Sequence, residues 1–115
     1  MSKLYDLFSN PAIESFGKAL RYAIWKREYG GGEDYASLIE LEYVETPKQF
    51  VESLKKFLRR YDAYARRYER EQGISRFRPD DKELDELVRL AEEYGVRVVC
   101  SALIAHALVK ARKED

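Results

Sequence analysis

The chain has one cysteine, Cys100, and one histidine, His106. A single thiol excludes an internal disulfide, and a single imidazole with no cysteine or carboxylate at ligand spacing beside it offers no metal cluster. An intracellular, cytoplasmic setting is therefore expected. Long apolar runs are also missing. The longest, Val98 to Val109, is interrupted by His106 and is too short to cross a bilayer, and no signal peptide is visible, so no membrane role is expected. Amides are scarce, with only Asn10, Gln49 and Gln72, and Met1 is the only methionine, while charged residues reach 37% of the chain against about 25% in an ordinary domain. Few thermolabile side chains and many charges point to a thermophilic source.

An excess of either charge is lacking too, since the formal net charge is zero. The molecule as a whole is no polycation seeking nucleic acid, and the distribution of charge says more than its sum. Residues 30–45 hold five acidic side chains and no basic one; residues 46–78 hold ten basic against four acidic; residues 79–95 hold two basic against seven acidic. Acidic blocks thus flank a central basic block. With 115 residues the expectation is one domain, 1–115, large enough for a core.

The basic block reads as one helix of about seven turns from Thr46 to Gln72, around which the rest of the chain is expected to pack. Thr46, Pro47 and Gln49 form a capping box with proline at the first helical position, and Gly73 ends the helix. At 100° per residue Val51, Leu54, Leu58, Tyr61, Ala65 and Tyr68 share an apolar arc, with Phe57 and Tyr64 on its flank. The opposite side carries Lys55, Arg59, Arg66 and Arg70 in one row and Lys56, Arg60 and Arg67 in a second.

Before it, Asn10 and Pro11 start a helix with Ile13, Phe16, Leu20, Ala23 and Ile24 at helical spacing. Gly30 to Gly32 stop that helix; with no lysine following and no strand preceding, they read as a turn and not as a phosphate cradle. Residues 33–43 form a short acidic helical segment, with Tyr35, Leu38, Ile39 and Val44 expected to face inward. After the basic helix, residues 73–79 make a linker in which Arg76 and Arg78 flank Phe77. An aromatic between guanidinium groups suits a single-stranded nucleic acid, while the plainer reading has Phe77 plugging the core beneath a loop. Asp80 and Glu83 cap another helix with Leu84, Leu87, Val88 and Ala91 inward, ending near Gly95. The last helix, from Val96 to about Lys113, is apolar on almost all sides and is expected to be central, its alanines at 102, 105 and 107 allowing close approach of neighbours. No segment alternates over strand length and no repeat recurs. The class is all-α, a single helical bundle of about five helices with a long central basic amphipathic helix and a buried C-terminal helix.

No catalytic constellation emerges, and no cofactor is expected. His106 reads as a core or interface histidine and Cys100 as a small hydrophobe. The carboxylates cluster near helix starts, where they favour the macrodipole. Tyr61, Tyr64 and Tyr68 have the spacing of a stacking ladder, but their arc is the apolar one, so core packing is the preferred reading.

The order of features resembles the small subunit of the type I-A CRISPR effector complex, the archaeal Cascade. The likeness is carried by LRYAIWKREY at 20–29, DYASL at 34–38, the Thr46-Pro47 helix start, FLRRYDAY at 57–64, RPDDKEL at 78–84 and ALIAHAL at 102–108. It spans nearly the whole chain from about Ile13 onward; the triple glycine and the acidic segment after it depart from the pattern. The small subunits of type III complexes are short helical bundles as well and are the nearest alternative. The resemblance implies a non-enzymatic role in antiviral defence. Several copies would pack head to tail within a crRNA-guided ribonucleoprotein, against backbone and large subunits, supporting the guide–target heteroduplex and the displaced strand of the R-loop. Base pairing would read the sequence, so the subunit need offer only a sequence-blind basic groove. The nucleic-acid-binding candidates are Lys55, Lys56, Arg59, Arg60, Arg66, Arg67, Arg70, Arg76 and Arg78. Two other readings stay open. One is a helical protein–protein adaptor whose basic helix meets an acidic surface; the other, less favoured because the basic helix and its linker are long, is a helix-turn-helix regulator.

Overall fold

A computed structural model describes residues 2–25, 39–73 and 78–114, and among them there are helices and no strand. In chain order these are α1 (Ser2–Phe8), α2 (Pro11–Trp25), a helical stretch α3 described over 39–43, α4 (Pro47–Gln72), α5 (Asp81–Tyr94) and α6 (Val96–Glu114). The all-α expectation holds. Six helices replace the expected five or so because α1 had not been anticipated; its Leu7 is buried, and α1 packs on α6.

Helix boundaries follow local chemistry. Asn10 Oδ1 accepts from the amides of Ala12 (2.8 Å) and Ile13 (3.4 Å), satisfying donors that the first turn of α2 leaves without an intrahelical acceptor. At α4 the capping box is complete: Thr46 Oγ1 accepts from the Gln49 amide at 3.1 Å and Gln49 Oε1 accepts from the Thr46 amide at 3.3 Å. Asp80 and Glu83 repeat the arrangement for α5. Gly73 ends α4 with φ +69°, a left-handed conformation that strains any residue with a Cβ, and its amide donates to the Glu69 carbonyl.

The molecule is organised around the pair α2 and α6, which make the most extensive helix–helix contact; α4 packs chiefly on α5. This corrects the expectation that the basic helix would be the centre. The reason is compositional: α6 is apolar on more than one side and can serve α1, α2 and α5 together, whereas α4 has a single apolar stripe and takes an outer place. Close approach of α2 to α6 comes from Gly17 rather than from the alanines alone. A Cβ built there would lie 2.5 Å from His106 Nδ1 and 2.8 Å from its Cγ. His106 is buried as expected, with its ring 5.0 Å from that of Phe8. It and Arg21 are the polar side chains buried in the core among the described residues.

The core stripe of α4 is rotated from the expected arc. Phe50, Leu54, Phe57, Tyr61 and Ala65 are buried, while Val51 and Leu58 are half-buried. Phe50 was missed, and Phe57 belongs at the centre and not on the flank. Phe50 and Phe57 are seven residues apart on nearly one line of the helix, and two aromatic rings fill more of the space facing α5 than Val51 and Leu58 would. On α5, Leu90 joins Leu84, Leu87 and Ala91 in the core and Val88 is half-buried. Of the residues expected to face inward here, Val44 is buried and Ile39 is 52% exposed, while Tyr35 and Leu38 lie outside the described residues, as do the glycines at 30–32; Leu41 joins Val44 as the anchor of α3.

Candidate nucleic-acid interface

Lys48, Lys55, Arg59, Arg66 and Arg70 follow one another at intervals of seven, four, seven and four residues; a seven-residue step falls about 20° short of whole turns and a four-residue step overshoots by about 40°, so the steps partly offset each other and the five stay within an arc of about 60°. They form a line about 33 Å long on the exposed side of α4, the length of about ten base pairs of duplex. All five are exposed. Lys48 was missed in the sequence; its place seven residues before Lys55 was the available signal.

Ion pairs divide the candidates. Asp62 takes Arg66 at 2.9 Å and, through its other oxygen, Arg78 at 2.9 Å, and Arg78 also reaches Glu69 at 3.0 Å. Arg78 is therefore a clamp between the entry to α5 and the middle of α4, with its charge met by two carboxylates. Arg67 pairs with Glu71 at 3.1 Å, and Lys56 reaches Glu40 of α3 at 3.7 Å. Arg60 is half-buried. Lys48, Lys55, Arg59 and Arg70 make no ion pair among the described residues. In the first row Lys55, Arg59 and Arg70 thus stay open while Arg66 is paired with Asp62, and the second row is partly engaged by the protein itself. Arg76 and Phe77 lie outside the described residues, as do the side chains of Tyr64 and Tyr68. Tyr61 is buried, with its ring 5.7 Å from Phe57, so at this position the core reading of the tyrosines holds.

At the N-terminal half of the stripe lies an open depression of about 500 Å3, lined by Glu40, Tyr43 and Val44 on one side and by Gln49, Glu52, Ser53, Lys56 and Arg59 of α4 on the other. Its wall is fixed: Ser53 Oγ donates to Glu40 Oε1 at 2.9 Å, and the Arg97 guanidinium of α6 donates to the carbonyls of Leu41 (3.3 Å) and Val44 (3.0 Å). Those two carbonyls belong to the end of α3, where the helix leaves acceptors unused. Tyr43, which follows the exposed Glu42 and precedes the buried Val44, has 75% of its surface exposed, as much as Tyr5. It had not been singled out, because its acidic neighbours dominate that part of the sequence.

The titration of two other groups bears on function by exclusion. Glu86 is held at a pKa of about 2 by the Arg89 guanidinium, which donates at 2.7 and 2.8 Å, with help from the Asn10 amide at 3.2 Å; partial burial opposes the shift. This carboxylate is a joint between α2 and α5 and has no free proton to trade. Burial pushes the Cys100 thiol up to about 11, although nearby Arg97 acts the other way. Cys100 is a packed hydrophobe and not a nucleophile. No group of three metal-ligating side chains occurs among the described residues, and no described helix is long and apolar enough to span a membrane.

No family model matches the chain, and neither does any solved structure. It is similar to a protein of Archaeoglobus fulgidus that is named only as an uncharacterized protein, with 49% identity over 113 residues, covering 98% of this chain and 88% of that one.

Proposed function

We propose, for a chain that belongs to one family with the Archaeoglobus fulgidus protein, that it is a non-catalytic subunit of a nucleic-acid-guided assembly and contacts the sugar-phosphate backbone through α4. The observation that carries this is the line of cations at Lys48, Lys55, Arg59 and Arg70, exposed and without ion-pair partners among the described residues. In a protein of zero net charge, such a line is more local bias than solubility requires. Four point charges on a straight helix recognise phosphates by spacing and sign and do not read bases. The sequence resemblance supports, within this proposal, a type I-A CRISPR effector in the cytoplasm as the assembly, with the chain acting as one helical-bundle domain. There its partners are the backbone and large subunits, further copies of itself, crRNA and target DNA. With three or four phosphates neutralised, affinity for a single strand falls with salt at a log–log slope of about −2 to −3.

A second reading has one observation behind it. Lys56 of α4 already reaches Glu40 of the preceding acidic segment, and the same complementarity between two molecules would make α4 a protein-docking helix. Purification of the tagged chain from its native host, with sequencing of the bound nucleic acid, separates the two. Recovery of repeat-derived guide RNA with large effector subunits is the expected result. Replacing Lys48, Lys55, Arg59 and Arg70 together by alanine is then expected to leave assembly intact and to lower strand binding. Partner proteins recovered without RNA, and lost with that variant, would make the chain an adaptor.

A further inference from the structure

We infer that Tyr43 is a base-stacking platform for single-stranded nucleic acid, set beside the cations of α4. The inference rests on the reading of α4 as a backbone-contacting face and adds to it the point at which a base is held.

Its grounds are the contrast between a fixed backbone and a free ring. Leu41 and Val44 are each 2% exposed, and Arg97 bonds both of their carbonyls, so the turn bearing Tyr43 is tied to α4's flank and to α6. The ring itself is 75% exposed. A tyrosine ring left mostly in water contributes little to the core, yet the residues on either side of this one are anchored by burial and by Arg97. It forms the shared wall of two depressions. One is open toward Lys56 and Arg59; the other runs along α6 past Arg97 and Ser101. Arg97 is engaged by the Leu41 and Val44 carbonyls and Lys56 by Glu40, so Arg59 is the open cation that shares a depression with the ring, and an aromatic beside a cation is how sequence-tolerant single-strand sites combine stacking with phosphate attraction. Carboxylates line the same depressions. Glu40 is occupied by Ser53 and Lys56, while Glu42 and Glu52 keep a phosphate from settling against the ring itself. A base, uncharged and flat, meets no such penalty there, and Arg59, exposed on the same depression, is the cation available to its phosphate. A duplex has no unstacked base to offer, so the platform favours a displaced or unpaired strand.

The test uses the full chain with labelled oligo-dT and with an abasic oligomer of equal length, by fluorescence anisotropy across a salt series. Tyr43→Ala is expected to weaken oligo-dT binding about 5- to 150-fold, with an unchanged salt slope and an unchanged melting temperature, because one stacked base contributes about 1–3 kcal/mol. Tyr43→Phe is expected to bind like the unmodified chain, and the abasic oligomer not to distinguish Tyr43→Ala from it. Arg59→Ala, in contrast, lowers the salt slope by about 0.7. If Tyr43→Ala binds oligo-dT as the unmodified chain does while the α4 variants lose affinity, the platform is overturned and the α4 face stands. If the unmodified chain binds neither oligomer, both fall. Loss of association between protein molecules in Tyr43→Ala, at constant affinity for oligo-dT, would make Tyr43 a protein contact and overturn the inference as well.

Discussion

Gly17 offers the sharpest test of the packing, because local and tertiary physics disagree about it. In the interior of an exposed helix, alanine is better than glycine by about 1 kcal/mol, so helix propensity alone predicts that Gly17→Ala stabilises the protein. The structure predicts the reverse. The new methyl carbon would lie 2.5 Å from His106 Nδ1, 2.8 Å from Cγ and 3.0 Å from Cβ, against an ordinary contact of 3.4 Å or more. The last of these atoms is fixed to the backbone of α6, so a rotation of the ring does not relieve all three contacts. Retreat of the ring is blocked by Phe8, whose centroid is 5.0 Å away, and His106 is itself only 2% exposed. Overpacking of this kind costs about 1–3 kcal/mol. Set against the propensity gain, the net expectation is a loss of up to about 2 kcal/mol, or up to about 8 °C in Tm for a domain of 115 residues. Urea unfolding of four proteins measures it: the unmodified chain, Gly17→Ala, His106→Ala and the double variant. In the His106→Ala background the methyl has room, and Gly17→Ala is expected to stabilise by about 1 kcal/mol, giving a coupling of about 1–3 kcal/mol, the overpacking cost itself. A stabilising Gly17→Ala in the unmodified background, or additive effects across the cycle, would refute the close approach of α2 and α6.

Three further outcomes follow from particular contacts. Glu86 has its folded pKa lowered from 4.5 to about 2, so its pairing stabilises the protein above pH about 4.5 and is lost as pH falls toward 2; the stability difference between the unmodified chain and Glu86→Gln, under about 1 kcal/mol for a partly exposed pair, should be constant above pH 5 and shrink to nothing near pH 2 in acid-unfolding titrations. Cys100 is 1% exposed with its pKa near 11, and is expected to resist a thiol reagent at pH 8 until denaturant unfolds the chain; fast labelling of the folded protein would contradict its burial. Arg97→Ala removes the donor to the Leu41 and Val44 carbonyls and should cost about 1–3 kcal/mol, with faster amide exchange at residues 41–44 read by NMR; unchanged exchange would mean that α3 is held by Leu41 and Val44 alone.

Helix starts and stops were legible because they are written in neighbouring residues. Thr46 with Gln49, Asp80 with Glu83, Asn10 with Pro11 and the glycines at 73 and 95 each act within one turn, so the pattern of residue types is the mechanism. The all-α class, the burial of His106 and Cys100, and the exposed row of Lys55, Arg59, Arg66 and Arg70 followed from helical periodicity in the same way. Where the reading went astray, the deciding partner was distant. The arc of α4 drawn through Val51 and Leu58 turned toward Phe50 and Phe57, because what lies opposite, α5, sets how much volume each position must fill. Ile39 was expected inside and is exposed, since α3 is anchored through Leu41, Val44 and an arginine more than fifty residues away.

The candidate interface divides along the same line. The sequence by itself determined which side of α4 would be cationic, because charge and a 100° step need nothing else. Only the tertiary structure decided which of those cations are open. Arg78 is drawn back onto Asp62 and Glu69, and Lys56 onto Glu40, by chain segments whose arrival no local rule predicts. Tyr43 belongs wholly to the second class: its ring is exposed because Leu41, Val44 and Arg97 fix the backbone on either side of it, and a side chain's exposure is a property of everything that packs around it.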